Sequence, residues 1–369
     1  MTSDARNGPS AIHAARIARV RQDLKKQRVP ALLVTRRMDH LYLTGFTGED
    51  SAVLVLPRAL HVLSDGRFDE VINQECPWMT RWMRKGSLNA EVGKVCKQLK
   101  LRSLAIQGDG MTVADQAEIR KLARGTRLTV APPIFAEMRR IKDDTEIKNL
   151  KLAIRIAEEA FKALRRTIRI GQTELEMAAQ LEYEMKKRGA SGPSFGSIVA
   201  EGANAALPHA HPGRRRVRAG SAILFDWGAR VGFYCSDLTR MLFIGSIPPK
   251  MANVYAIVLA AQEKAIAALR PGERMCDVDE VARGHIARAG FSEAFNHGLG
   301  HGLGLDVHEA PSLSWRSDEK LRAGMVVTVE PGIYLPGVGG VRIEDDVLVT
   351  SSGHRVLTRL DKSLTGAVV

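Results

Sequence analysis

Asp226 in DWGA, Asp237 in CSDLTR, His301 in HGLGHGLG, Glu330 in TVEPGIY and Glu344 in VRIED each sit in a short motif of their own. Four carboxylates and one imidazole make an oxygen-rich, borderline-hard donor set. Such a set suits Mn²⁺, Co²⁺, Fe²⁺ or Zn²⁺ and argues against a thiolate centre. The four negative charges balance two divalent ions, and a bridging hydroxide between such ions can serve as a nucleophile.

The local context of each residue leaves more than one reading open. Asp226 and Asp237 lie on two strand-like segments with Gly228 and Gly232 between them. A hairpin there folds both carboxylates towards one place. Turn or cap residues are the commoner fate of Asp, and Arg240 can pair with Asp237. HGLGHGLGLDVHEAP holds His297, His301 and His308 among four glycines. Glycine permits close backbone approach and unusual dihedrals, and histidine supplies a ligand or a proton-transfer group. The stretch is neither HExxH nor GxGxxG, so a dinucleotide site is disfavoured. Glu330 ends an apolar strand at Pro331, where an unpaired charge is expensive. Glu344 shares a strand face with Arg342, so a simple ion pair is the alternative to a metal ligand. His209 and His211 precede an arginine-rich loop and are either substrate contacts or plain loop residues.

The elements that must position these residues fall into two sets. Apolar runs at 31–35, 52–56, 61–64, 103–107 and 128–132 read as strands. Helical patterns near 12–27, 66–74, 88–100 and 113–124 separate them, which implies an α/β domain over residues 1–135. Pro132-Pro133 breaks the pattern. A long helix over 143–167 follows, capped by Asp143 or Asp144, with Ile147, Leu150, Ile154, Ala157, Phe161 and Leu164 as its apolar stripe. Thr173 caps a second helix near 174–188, and others read at 250–268 and 277–289. Strands read in SIVAE, AILFDWGARV, FYCSDLTRMLFIG, MVVTVEPGIYL and VRIEDDVLVT. Residues 136–369 therefore read as an α+β domain with a curved, largely antiparallel sheet.

Composition narrows the class. A chain of 369 residues has room for two cored domains. Four scattered cysteines form no CxxC pair, so neither a zinc ribbon nor a dithiol site is indicated. No apolar run has signal-peptide or membrane-span length, so a reducing, cytoplasmic setting is expected. Arginines in residues 1–28 mimic a transit peptide, but Ile12, Ile17, Val20 and Leu24 space as an ordinary helix face. The net charge of +13 raises nucleic acid as a partner. The basic residues are diffuse, however, and Arg214, Arg215, Arg216 and Arg218 lack interleaved aromatics, so a solvated loop is expected.

The five motifs, in this order, resemble the pita-bread metallopeptidases: aminopeptidase P, prolidase and methionine aminopeptidase. MRRIKDDTEIKNLKLAIRIAEEAF looks like that family's first catalytic-domain helix. YLTGFTG and VLSDGRF are similar to the creatinase-type N-terminal domain of aminopeptidase P and prolidase. The resemblance covers nearly the whole chain and implies specific roles. Asp226 would chelate one metal, Asp237 and Glu344 would bridge both, and His301 and Glu330 would complete the other shell. Glu330 would act as general base and His297 would meet the scissile carbonyl or its oxyanion. His308 and His209 would line the substrate site as catalytic or binding groups. Arg342 would sit beside the bridging Glu344 at the substrate site. Tyr234, Phe195 and Trp315 are candidates for a proline slot. No ligand is substituted, so the chain does not look like creatinase, which uses no metal.

The implied activity is a dinuclear Xaa-Pro aminopeptidase, with manganese ahead of cobalt, zinc or iron, acting as a cytoplasmic homodimer on peptides with proline second. A prolidase-type dipeptidase is close behind. A relative acting on a non-peptide amide and a basic-surface binding protein are more distant alternatives.

Overall fold

The computed structural model describes residues 8–369, which divide between Phe135 and Ala136 into two compact units. No helix among the described residues is long and apolar enough to cross a membrane.

The first unit is a six-stranded mixed sheet with helices between its strands. Its order is Thr80–Met83, Leu60–Ser64, Ala52–Val55, Leu32–Val34, Ser103–Gln107, Arg127–Ala131. The short apolar runs form the buried centre: Leu33, Leu54, Leu63, Leu104 and Ile106 share one core with Val92 and Ile119 from the flanking helices. Ser87 and Thr112 cap those helices by accepting bonds from the third residue's amide. Two elements escape a sequence reading. Thr80–Met83 is an edge strand with no fully buried residue, and Arg37–Thr44 is a short helix rich in polar residues. Neither shows clean hydrophobic periodicity.

In the second unit, helix Asp144–Arg165 follows the short helix Ile134–Arg139. Asp143 closes a capping box with Glu146, and Leu150, Ile154, Ala157, Phe161 and Leu164 are buried as the stripe requires. Helix Glu174–Lys187 carries the same box between Thr173 and Glu176. These two helices pack on Val199, Ile223, Phe225, Trp227, Leu238 and Leu242. Helices Pro249–Ala268 and Met275–Arg288 cover a second core with Leu224, Met241, Val327, Val329, Ile333 and Val347. Residues 222–243 thus supply both cores from alternating faces.

Every strand pair in this unit is antiparallel. Strand Ala222–Trp227 lies between Ile198–Glu201 and Leu238–Phe243. A five-stranded sheet runs Glu309–Leu313, Gly300–Gly302, Val326–Val329, Asp345–Val349, His354–Val356. A bridge between Thr239 and Glu344 joins the two sheets, and the chemistry-bearing residues gather at that seam. Strands Gly300–Gly302 and Glu309–Leu313 were illegible in the sequence, because glycine and histidine mask any alternation of apolar side chains.

Candidate active site

Asp226 lies near the end of its strand, paired with Thr239 across the hairpin. Asp237 immediately precedes strand Leu238–Phe243. Gly228 lets the two segments close: a Cβ there would stand 1.7 Å from the Ser236 carbonyl oxygen. Glu344 follows strand Gly339–Arg342, and its amide donates to the Thr239 carbonyl at 3.2 Å. Glu330 follows strand Val326–Val329, where Pro331 ends the run, and its amide donates to the Leu299 carbonyl. His301 sits in the central residue of Gly300–Gly302. Gly300 is required there, since a Cβ would meet the Thr328 carbonyl oxygen at 2.1 Å.

These five residues line one cavity of about 1050 Å³. Asp237, His301 and Glu344 each present a ligand atom within 4.8 Å of the others. His301 Nε2 is 3.2 Å from Glu330 Oε1 and 3.6 Å from Asp237 Oδ2. Asp226, Asp237 and Glu344 are buried. Asp226 Oδ1 and Glu344 Oε1 are buried with no hydrogen-bond partner among the described residues, a costly state for an acid.

The electrostatics follow from the crowding. Burial, then the charges of Glu344, Asp226 and Glu330, raise the Asp237 carboxyl well above the usual range. Burial and the charges of Glu330 and Asp226 do the same to Glu344. Burial also raises Asp226, against the pull of Arg342. Glu330 runs the other way: burial is outweighed by the hydrogen bond from His301 and its charge, which hold the carboxyl down at about 2. His301 is raised in turn, Glu330 overcoming the cost of its burial. Two cations face four acids, so the cluster lacks positive charge. Orphaned buried oxygens and excess negative charge are what a divalent cation would satisfy, and the donor set fits one.

The second row of contacts was largely invisible in the sequence. Arg342 does not pair with Glu344. Its Nη2 donates to Asp226 Oδ2 at 2.5 Å, its Nε to Thr239, and its Nη1 to the Tyr334 hydroxyl at 2.8 Å. Thr239 Oγ1 donates to Glu344 Oε2 at 2.6 Å. Thr328 accepts from the His301 amide and donates to Glu330 Oε1. Arg240 serves Asp345 rather than Asp237. TVEPGIY and DLTR contain these residues, but nothing in their spacing announces the bonds.

The histidines divide into two kinds. His297 has both nitrogens engaged, Nδ1 with the Gly298 carbonyl at 2.8 Å and Nε2 with the Tyr334 hydroxyl at 2.9 Å. A carbonyl only accepts, so Nδ1 carries the proton. Burial lowers the pKa of this imidazole, so it is neutral and Nε2 accepts. His297 lines the same cavity, with its Nε2 shared with the Tyr334 hydroxyl. His308 and His209 line the cavity, are exposed, and make no ring hydrogen bond to a described residue. His308 stands edge-on to His301 with ring centroids 4.2 Å apart. Phe195 and Trp315 also line the cavity. Tyr234 does not: it is buried and donates to Glu146.

Two buried acids shape the walls. Glu174 accepts from the amides of Glu201 at 2.7 Å and Gly213 at 2.8 Å and from the Asn204 side chain. It therefore fastens both ends of the loop that carries His209. Asp279 holds Arg283, which donates to the carbonyls of Phe295 and His297. The same guanidinium lies over the rings of Phe295 and Trp315, at 4.2 and 4.4 Å.

Residues 148–351 match metallopeptidase family M24, and residues 16–141 match the creatinase/prolidase N-terminal domain. The chain belongs to family M24. This M24 peptidase is 36% identical to a putative dipeptidase of Bacillus subtilis, over 95% of this chain and 99% of the relative. It superposes on an Xaa-Pro dipeptidase from Bacillus anthracis with a TM-score of 0.92 at 35% identity, covering 97% of this chain and 100% of the other. An X-Pro aminopeptidase from Thermotoga maritima gives 0.86 at 36% identity, covering 94% and 100%. The expected pairing of a creatinase-type domain with a pita-bread metallopeptidase domain is met. Divalent metal use follows from membership of a metallopeptidase family.

Proposed function

We propose that this M24 peptidase is an Xaa-Pro dipeptidase, a metallo-exopeptidase that cleaves the bond before a C-terminal proline. The observation that carries the proposal is the acid-rich cluster of Asp226, Asp237, Glu330 and Glu344 with His301, short of positive charge inside a substrate-sized cavity. Likeness to two dipeptidases over nearly the full chain supports the dipeptide preference over the aminopeptidase that sequence alone favoured.

Those five residues would hold a pair of divalent ions, and the carboxylate-rich set favours Mn²⁺. When bound, the ions supply Lewis acidity and lower the pKa of water. The chain's own residues supply the rest. Glu330, steadied by the Thr328 hydroxyl on Oε1, is the carboxylate that accepts a proton from the attacking water. The same carboxyl then returns the proton to the proline nitrogen as the bond breaks. Arg342 orients Asp226 and opposes the burial that raises its carboxyl. His308 and His209, with free ring nitrogens, meet the scissile carbonyl and the substrate backbone. Proline offers no amide hydrogen, so its ring needs only an apolar wall, for which Phe195 and Trp315 stand available.

The aminopeptidase reading has one specific support, the likeness to the Thermotoga maritima enzyme. The test is a chromatographic hydrolysis assay with added Mn²⁺ on Ala-Pro, Ala-Pro-Ala and Ala-Ala, each with and without chelator. Metal-dependent cleavage of Ala-Pro ahead of Ala-Pro-Ala is expected. Preferred cleavage of the tripeptide would make it an aminopeptidase. Absence of any cleavage by folded, metal-loaded protein would move the substrate outside peptides. The homodimer implied by the resemblance is read out separately by sedimentation.

A further inference from the structure

His308 lines the cavity, and the next residue, Glu309, does not. No hydrogen bond to a described residue holds the His308 ring, so its place is inherited from the backbone. That backbone is the turn between strands Gly300–Gly302 and Glu309–Leu313. Glu309 closes the turn. It pairs with Gly302 across the two strands, and its carboxyl accepts from the Asp306 amide at 3.4 Å. Gly304 leaves room for that carboxyl, since a Cβ there would stand 2.4 Å from Glu309 Oε1. The Gly304 carbonyl in turn accepts from the Cys235 amide at 2.8 Å.

Two cations from outside the turn fix Glu309. The Lys142 side chain is fully buried, and its Nζ donates to Oε1 at 2.7 Å. Arg139 donates to Oε2, and the same Nη2 reaches Asp306 Oδ2 at 2.7 Å. Burial of the Glu309 carboxyl is outweighed by Lys142 and Arg139, which hold it below the usual range. Lys142 is itself anchored. Its amide donates to the Gly324 carbonyl at 2.9 Å, and the next residue, Asp143, caps helix Asp144–Arg165.

We infer that Glu309, gripped by Lys142 and Arg139, is the positioning residue that sets His308 against the substrate. The inference rests on the reading above in which His308 meets the substrate. A misplacement of about 1 Å can cost on the order of 10²-fold in rate. Glu309 stands behind the cavity wall, so its influence on the reaction passes through the histidine beside it. An ion pair that only held the fold together would matter equally with or without that imidazole.

Steady-state kinetics on Ala-Pro with added Mn²⁺ test this in the wild type, E309Q, K142M/E309Q, H308A and the triple variant. E309Q strands two buried cations and can fail by misfolding. K142M/E309Q removes one charge of each sign and carries the test. It should keep its fold and metal content and lower kcat about tenfold or more, with KM changed less than about twofold. In the H308A background the same two changes should cost less than about twofold, because the residue they act through is gone. An equal loss in both backgrounds, or no loss in the wild-type background, overturns Glu309 as a positioning residue. A second readout needs no turnover. In metal-free protein labelled with ¹⁵N-histidine, the His308 ring signal is assigned by its absence from H308A. That signal should move in K142M/E309Q while those of His61 and His285 stay in place, and an unmoved signal overturns the inference. If H308A cleaves Ala-Pro as fast as the wild type, or the wild type cleaves no dipeptide, the reading of His308 as a substrate group fails. The ring signal then decides alone whether Glu309 positions it.

Discussion

Glu344 and Asp345 are consecutive residues, each 1% exposed, yet they face opposite clusters. Asp345 accepts from Arg240 at 2.6 Å, Thr358 at 2.6 Å, Gln262 at 2.8 Å and Lys362 at 2.8 Å. Arg240 and Lys362 outweigh its burial and hold its carboxyl well below the usual range. Among the described residues Glu344 has one side-chain donor, Thr239, and an oxygen with none. Burial and neighbouring acids drive its carboxyl well above the usual range. Side chains alternate along an extended chain, so one segment serves both faces. The lesson lies in the donors rather than the acids. A buried carboxylate with a full set of donors holds a fold together, whereas one left short of donors among its own kind is built for something that arrives later.

Removing either cluster's acid separates the two roles. Asp237→Ala or Glu344→Ala should abolish metal binding and lower turnover on the order of 10³-fold or more, beyond what one transition-state donor provides. Metal analysis beside kinetics checks this, and retained activity at full metal content would break the contrast. Asp345→Asn should leave metal content intact but destabilise the chain by about 3–5 kcal/mol, the cost of stranding a buried cation. Denaturant unfolding reads it, with Glu344→Gln in chelated protein as the control that should lose no stability.

Smaller effects sharpen the comparison. His308→Ala should lower kcat on the order of 10²-fold with metal content unchanged, the scale of one lost donor; an unchanged kcat would remove that imidazole from the reaction. The pH dependence of the metal-free protein should show the two clusters pulling in opposite directions. Asp345 has a depressed pKa, so its stabilisation is present above about 4 and fades as pH falls through the folded value. Asp237 and Glu344 have raised pKa values. Their contribution is present below about 4 and is lost as pH rises through the folded values. Stability of chelated protein should therefore decline as pH rises through these raised folded values, and added Mn²⁺ should cancel the decline. A flat profile in chelator would contradict the crowding of these acids.

The sequence carried the metal-type residues and most of the elements bearing them, because each of these residues sat inside an apolar strand or a glycine-rich turn. Asp143 and Thr173 were readable as caps for the same reason: their chemistry is local. What stayed hidden was long-range. Arg342 was expected beside Glu344 on one strand face, but its bonds run to Asp226, over a hundred positions earlier. The difference between His297 and His308 was equally closed to inspection, since it rests on a tyrosine hydroxyl and a backbone carbonyl. The preference for an aminopeptidase had no support in spacing, and the relatives favour the dipeptidase.

Glu174 gives the cavity wall one last property. With both ends of the His209 loop fastened to a single buried carboxylate, that loop is ordered when the chain folds. Its conformational entropy is surrendered before any ligand arrives, and little remains to be lost on binding. A small, weakly adhesive molecule such as a dipeptide makes few contacts, and a wall that is already set lets those few contacts count in full.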